Sequence, residues 1–279
     1  MNATLTRLAF VADVHHGPDE YGKLGSRALE ELEAALAGIA RTEPDAVIDL
    51  GDRITDESPE ADLRRTAEVG AAWRRTTRPR HHLVGNHDVD VPRADAEHAL
   101  DATLASHVTS YGDVRLVVWN ASVTYPGLTL ADEDLRWLGA ALAASDDPTV
   151  VVSHVPFGGA SLVGNAYFET RTEGRGRYVN EALARELVLE HPNVLACLSG
   201  HVHANTIHVV DGVAFLTLHG LSERATTAPE PSGAWATLDI TEASLAWDVR
   251  GRQPWRLEMP RRQPGRRWIR PSRGDAWPA

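Results

Sequence analysis

Leu8-Ala9-Phe10-Val11-Ala12 runs directly into Asp13-Val14-His15, and that junction decides how the chain folds. A short apolar run bounded by polar residues reads as a buried strand. Asp and His at its end fall where an open α/β sheet binds its ligands, beyond the carboxyl ends of its strands. The same junction recurs four times. Ala46–Leu50 leads into Gly51-Asp52, and His82–Val84 into Gly85-Asn86-His87-Asp88. Thr149–Val152 leads into Ser153-His154, and Val194–Leu198 into Gly200-His201-Val202-His203. One such cluster could arise by chance, but five in order mark a site.

Between the junctions the pattern turns helical. Leu29, Leu32, Leu36 and Ile39 recur at helical spacing within Ser26–Arg41, and Pro44 follows the stop. Glu60–Arg75, Ala94–Ser106, Asp132–Ala144 and Asn180–Glu190 read as further helices, with His81–Val84 and Val114–Trp119 as strands. After His203 the runs Thr206–Val210, Ala214–Leu218, Ala234–Ile240 and Ser244–Asp248 are short and divided by turn residues such as Asp211-Gly212. They predict a β-meander. Strand–helix alternation first and strands later predicts an α/β fold of two sheets packed face to face, helices outside.

The ordered set D-x-H, G-D, G-N-H-D, H, G-H-x-H between Asp13 and His203 resembles the calcineurin-like metallophosphoesterase superfamily. The resemblance implies a four-layer α/β/β/α sandwich of two mixed sheets flanked by helices. It also implies a phosphoric-ester hydrolase with two metal ions, in which a metal-bridging hydroxide attacks phosphorus. Carried over by position, Asp13, His15 and His203 hold one metal, and Asn86, His154 and His201 hold the other. Asp52 bridges the two. His87 faces the substrate as proton donor or charge stabiliser. The donor set agrees with the chemistry, because imidazole, carboxylate and amide oxygen together suit transition metals better than Mg or Ca. The expected cofactors are two divalent or trivalent ions of Mn, Fe or Zn.

The chain departs from the family pattern beside the bridging Asp. Arg53 stands where an apolar residue is usual, and Thr55 where an acid or Asn often orients the catalytic His. The acid, Asp56, comes one residue later. Thr55, Asp56 and Asp88 are therefore the candidates to support His87. The long stretch Pro156–Tyr178 lacks periodicity and is rich in Gly, and loops of that length inside a domain are often functional. Its Arg171, Arg175 and Arg177 are candidate substrate-binding residues, with Tyr167 or Phe168 available to a base or apolar group.

Of 279 residues, 43% are hydrophobic and 24% charged, ordinary for a soluble globular protein. No apolar run reaches membrane-spanning length, and the polar Met1–Arg7 shows no signal peptide. The single Cys197 rules out an internal disulfide and suits the cytoplasm. A net charge of −11 argues against nucleic-acid binding. The charge is uneven, since Arg250 to Arg273 holds nine Arg against one acid, Glu258. Residues 1–249 read as the phosphoesterase domain. Residues 250–279 read as an extended Arg/Trp/Pro-rich arm: a tail on the acidic body, a contact in a homo-oligomer, or a lid for anionic substrate.

Gly85-Asn86-His87-Asp88, Gly200-His201-Val202-His203 and the compact size look most like the small phosphodiesterase branch, so the expected substrate is a small phosphorylated molecule. A phosphomonoesterase, or a nucleotide-diphosphate hydrolase of the ADP-ribose or CDP-alcohol type, would present the same phosphorus to the same centre. A scaffold that has lost its metals and binds partners is the rival from another class, and it should lack several ligands.

Overall fold

The computed structural model describes residues 4–20, 22–124, 127–170 and 173–262. The first sheet takes β1 (Thr4–Val11), β2 (Ala46–Asp49), β3 (Arg80–His82), β10 (Trp235–Thr241), β11 (Ser244–Arg250) and β12 (Trp255–Pro260). Their spatial order is β12-β11-β10-β1-β2-β3, with β1, β2 and β3 parallel and the rest antiparallel. The second takes β4 (His107–Tyr111), β5 (Val114–Val118), β6 (Thr149–Val152), β7 (Val194–Ser199), β8 (Thr206–Val210) and β9 (Val213–Thr217). Its order is β4-β5-β6-β7-β9-β8, parallel from β5 through β9 and antiparallel at both edges. Both sheets are mixed.

Side-chain alternation along β1 shows how the layers form. Leu8 and Phe10 point into the core between the sheets, where they meet Ile48, Val118, Val152, Leu198 and Leu216. Ala9 and Val11 point the other way, onto α1 (Ala28–Ala40), α2 (Pro59–Trp73) and α3 (Arg93–Leu100), against Leu32, Ile39, Val69 and Trp73. The second sheet repeats the arrangement. Val117, Val151 and Cys197 face α4 (Asp132–Ala143) and α5 (Glu181–Glu190). Helix, sheet, sheet and helix give the expected four-layer sandwich.

Two sequence expectations need correction. The helix expected over Ala94–Ser106 stops at Leu100, because Asp101 turns left-handed (φ 52°) and ends the ladder. β4 follows instead. It is an edge strand whose residues are alternately half buried and exposed, so it carries no apolar run, and Gly112-Asp113 turns it into β5. The arm expected from residue 250 begins as β12, whose residues are alternately exposed and half buried beside β11. Arg262 then bonds the Leu189 and His191 carbonyls and Asp211 on the second sheet's side. The remainder of that arm, and Arg171, lie outside the described residues. Among the described residues no helix is long and apolar enough to cross a membrane.

Arg53, just past β2, is buried with its guanidinium between two acids. Nη1 donates to Asp49 at 3.0 Å and to the Leu83 carbonyl at 2.6 Å, and Nη2 lies 3.0 Å from Asp88. Asp49 also pairs with His82 Nδ1 at 2.9 Å. Asp88 accepts the backbone N–H groups of Asp52, Arg53 and Gly85 at 2.9, 3.0 and 2.9 Å. Deleting one partner of a buried ion pair strands the other charge, at a cost of about 3–5 kcal/mol. Arg53→Met is therefore expected to lose about that much unfolding free energy in urea denaturation. A loss under about 1 kcal/mol would show that the cluster is not a structural tie.

Candidate metal centre

The five junctions meet at one end of the two sheets. Asp13 and His15 follow β1, Asp52 follows β2, Asn86 and His87 follow β3, His154 follows β6, and His201 and His203 follow β7. Five of these residues, Asp13, His15, Asp52, His201 and His203, have φ between 48° and 68°. Left-handed backbone is uncommon outside Gly, although Asp and His tolerate it better than most. The turns that end the strands this sharply also aim successive side chains into one cleft.

Two groups of side chains converge closely enough to hold a metal ion each. Asp13, His15, Asp52 and His203 form one, and Asp52, His154 and His201 form the other, with ligand atoms within 4.8 Å of one another. Asp52 belongs to both. Its Oδ2 lies 3.6 Å from His15 Nε2 and 3.4 Å from His154 Nε2. Its Oδ1 accepts the His87 N–H at 2.9 Å. Gly85 makes room for it, since a Cβ there would come within 2.0 Å of Asp52 Oδ1. Asn86 joins the second group, with Oδ1 at 3.4 Å from His154 Nε2.

The imidazoles are oriented from behind. His154 Nδ1 bonds the Leu50 carbonyl at 2.7 Å, which leaves Nε2 facing Asp52. His203 Nδ1 lies 3.1 Å from Glu223, so its Nε2 faces inward, 3.0 Å from His15 Nε2 and 3.7 Å from Asp13. His201 Nε2 bonds the Arg175 carbonyl at 2.6 Å. Its Nδ1 is buried without a hydrogen-bond partner among the described residues. Converging nitrogens and an orphaned buried Nδ1 fit bound cations, and the mixed N and O donors fit transition metals.

Electrostatics point the same way. Burial pushes the Asp13 carboxyl up to about 6, with Asp52 adding to the rise against the pull of His203 and His154. Burial opposes charge on His154, but Asp52, Asp13 and the Leu50 carbonyl together outweigh it and raise the ring to about 9. Burial also acts on Asp52 itself, yet His154 and His87 hold it well below the usual carboxylate range. Burial drives His201 down to about 3, with His154 adding to the fall. The cluster thus draws a proton onto His154 and keeps His201 neutral, as a ligand must be.

A cavity of about 620 Å³ opens over the centre, and Asp56, His87, Lys23, Tyr167, Phe168 and Arg175 are among the residues that line it. His87 packs edge-on against His15, with ring centroids 4.8 Å apart, and its Nδ1 meets the Asp56 carboxylate. Of the expected supports for His87, only Asp56 reaches it. Thr55 bonds the His15 carbonyl instead, because its side chain turns inward (3.4 Å). Asp88 is drawn beneath the loop by Arg53 and three backbone donors. Of the loop arginines, Arg175 lines the cavity, whereas Arg177 pairs with Glu181 on α5 at 3.2 Å.

Sequence reasoning missed Lys23 and Glu223. Lys23 sits in an irregular loop with no motif. Glu223 follows the end of β9, a sixth strand end at Leu218-His219-Gly220, and that position was its only signal.

Residues 6–205 match the family model described as calcineurin-like phosphoesterase. Among solved structures, the fold is similar to a dimetal phosphatase from Danio rerio (TM-score 0.76, 18% identity, 92% of this chain and 99% of that one). It is also similar to a purple acid phosphatase from yellow lupin seeds (TM-score 0.58, 15% identity, 90% and 52%). A third is the anchor in the inner membrane complex of Plasmodium (TM-score 0.60, 13% identity, 94% and 90%). At these identities the likeness concerns the fold alone. No curated protein matches the sequence. The family match takes in all five junctions, from Asp13 to His203, and the chain belongs to the calcineurin-like phosphoesterases, metal-dependent hydrolases of phosphoric esters.

Proposed function

We propose that the protein hydrolyses a small phosphodiester at two transition-metal ions, Mn, Fe or Zn. Asp13, His15, Asp52 and His203 would hold one ion, and Asp52, Asn86, His154 and His201 the other. The position of Asp52 between the two groups carries the reading, with one carboxylate oxygen within 3.6 Å of a ligand nitrogen on each side. When bound, the metals would neutralise charge on the phosphoryl oxygens and lower the pKa of a water at the site.

The chain's own residues would do the rest. Asp56 occupies His87 Nδ1 and fixes the ring at the cavity wall, so that the imidazolium form would give its Nε2 proton to the departing oxygen. Tyr167 and Phe168 offer flat faces to an aromatic or apolar substituent. Lys23, whose Nζ pairs with Glu20 at 2.8 Å, and Arg175 both line the same cavity. That pair favours a second reading, a nucleotide-diphosphate hydrolase of the ADP-ribose or CDP-alcohol type, because such a substrate carries a further phosphate. The net charge of −11 supports a small substrate rather than a nucleic acid, and the single Cys197 supports a cytoplasmic setting. A screen of Mn-loaded enzyme on monoesters, diesters, cyclic nucleotides and pyrophosphates decides among these substrates.

Asp52→Asn is expected to weaken both metal sites and cut turnover by about 10³-fold or more, since it removes charge shared by two cations. Metal content and steady-state rates of the purified variant check this. Two retained metals with near-normal turnover would contradict the shared role.

His87→Ala should keep both metals and slow esters with poor leaving groups by about 10²–10⁴-fold. An activated aryl ester should slow far less. Equal slowing of both would make His87 a charge stabiliser instead of a proton donor.

Lys23→Met should raise KM about tenfold for a substrate with a second phosphate, the scale of one charge-assisted hydrogen bond. A monoanionic diester should change by less than about twofold. Parallel losses on both substrates would remove Lys23 from substrate recognition.

A further inference from the structure

Glu223 is buried, lies in no family motif, and stands directly behind His203. Its carboxylate faces four donors. Oε1 accepts the backbone N–H groups of Arg224 and Ala225, both at 2.8 Å. Oε2 accepts the Tyr167 hydroxyl at 2.8 Å and lies 3.1 Å from His203 Nδ1. A carboxylate has about four lone-pair positions, and here each has a claimant. Glutamine would turn its NH₂ toward one pair of donors, so only the acid satisfies all four. Facing an acceptor, His203 Nδ1 must carry its proton, and Nε2 then presents its lone pair to the side where His15 and Asp13 stand.

Tyr167 reaches Glu223 through a notch cut for it. A Cβ on Gly22 would fall 1.8 Å from the Tyr167 hydroxyl and 2.7 Å from Glu223 Oε1, so residue 22 has to be Gly. The Tyr167 ring stands 5.2 Å from the His203 ring and also lines the cavity. One carboxylate oxygen therefore touches both an inward-facing imidazole and a side chain of the substrate wall.

We propose that Glu223 is the positioning residue of His203, fixing its tautomer and ring angle, and that Tyr167 docks the wall of the cavity onto the same oxygen. This rests on the reading of His203 as a metal ligand. Carboxylates placed behind ligating imidazoles typically change metal affinity by about 10–100-fold when removed. The loop that carries Tyr167 is thereby registered against the centre by one shared hydrogen-bond acceptor.

The test is calorimetric titration of Zn²⁺ into the metal-stripped full chain, for wild type, Glu223→Gln, Tyr167→Phe and His203→Ala. Long-range ¹H–¹⁵N spectra of the Zn-loaded wild type read the His203 tautomer directly. The expected results are an Nδ1–H tautomer in the wild type and one of two sites weakened about 10–100-fold in Glu223→Gln. Tyr167→Phe should weaken the same site by less. A His203 carrying its proton on Nε2 overturns the proposal. So does wild-type affinity at both sites in Glu223→Gln while His203→Ala loses one site, an outcome that leaves the metal-site reading standing. If His203→Ala also keeps both sites at full affinity, that reading falls and the proposal with it. Should Glu223→Gln fail to fold, Glu223→Asp, which withdraws the carboxylate from His203 Nδ1, replaces it with the same two outcomes.

Discussion

The Asp88 carboxylate receives backbone N–H groups from the turn after β2, at Asp52 and Arg53, and from the turn after β3, at Gly85. Those two turns carry Asp52, Asn86 and His87. Their separation is therefore set by one side chain that touches no substrate. Arg53 closes the tie from beneath by bonding Asp49, Asp88 and the Leu83 carbonyl together. Arg suits this place because its guanidinium is planar, always charged, and rich in donors at fixed angles. An apolar residue at position 53 would leave Asp49 and Asp88 facing each other without a counter-charge. The departure from the family pattern at this position is thus compensated within the same cluster.

The tie also shapes the electrostatics above it. Asp49, Asp88, Asp52 and Asp13 are all buried, with Arg53 bonded among them and Lys23 buried at the cavity. Burial raises the Asp88 carboxyl, and although Arg53 pulls it down, Asp52 and Asp49 add to the rise. Negative charge exceeds positive in a region of low dielectric, where uncompensated charge is costly. Burial, with Asp52 adding to it, raises Asp13, and the Asp52 and Asp13 carboxylates raise His154. Divalent cations are the stronger remedy. The framework that aligns the ligands and the field that attracts the ions thus share residues.

Much of this could be read in the sequence because the signals were local. Each of β1, β2, β6 and β7 is an apolar run, and each candidate ligand sits within a few residues of a strand end. Hidden features were those decided by distant partners. β4 and β12 are edge strands covered on one side only, so hydrophobicity marked neither. Thr55 stands closer than Asp56 to the position where a partner for His87 was expected, yet Asp56 has the reach, and only the path of the loop distinguishes them. Glu223 lies 20 residues beyond His203, and its role depends on the β9 turn bringing it behind that ring. Arg177 shared composition and loop with Arg175, but Glu181 on α5 claims it.

The left-handed turns explain why the site needs so rigid a support. A non-Gly residue held in a sparsely populated region costs about 1–3 kcal/mol, somewhat less for Asp, and persists only where its surroundings over-determine it. Asp13, His15, Asp52, His201 and His203 each adopt such a backbone. Their surroundings supply the determination. Asp13 N–H bonds the Gly51 carbonyl at 3.1 Å, and His15 N–H bonds the Asp52 carbonyl at 3.0 Å. The Asp13 carboxylate takes the His201 N–H at 2.9 and 3.0 Å. These bonds brace the turns after β1, β2 and β7 against one another. Converging donors that repel one another can then be held in place before any cation arrives. Preorganisation of this kind moves the cost of assembling the centre from binding to folding, where the three apolar layers of contact between sheets and helices absorb it.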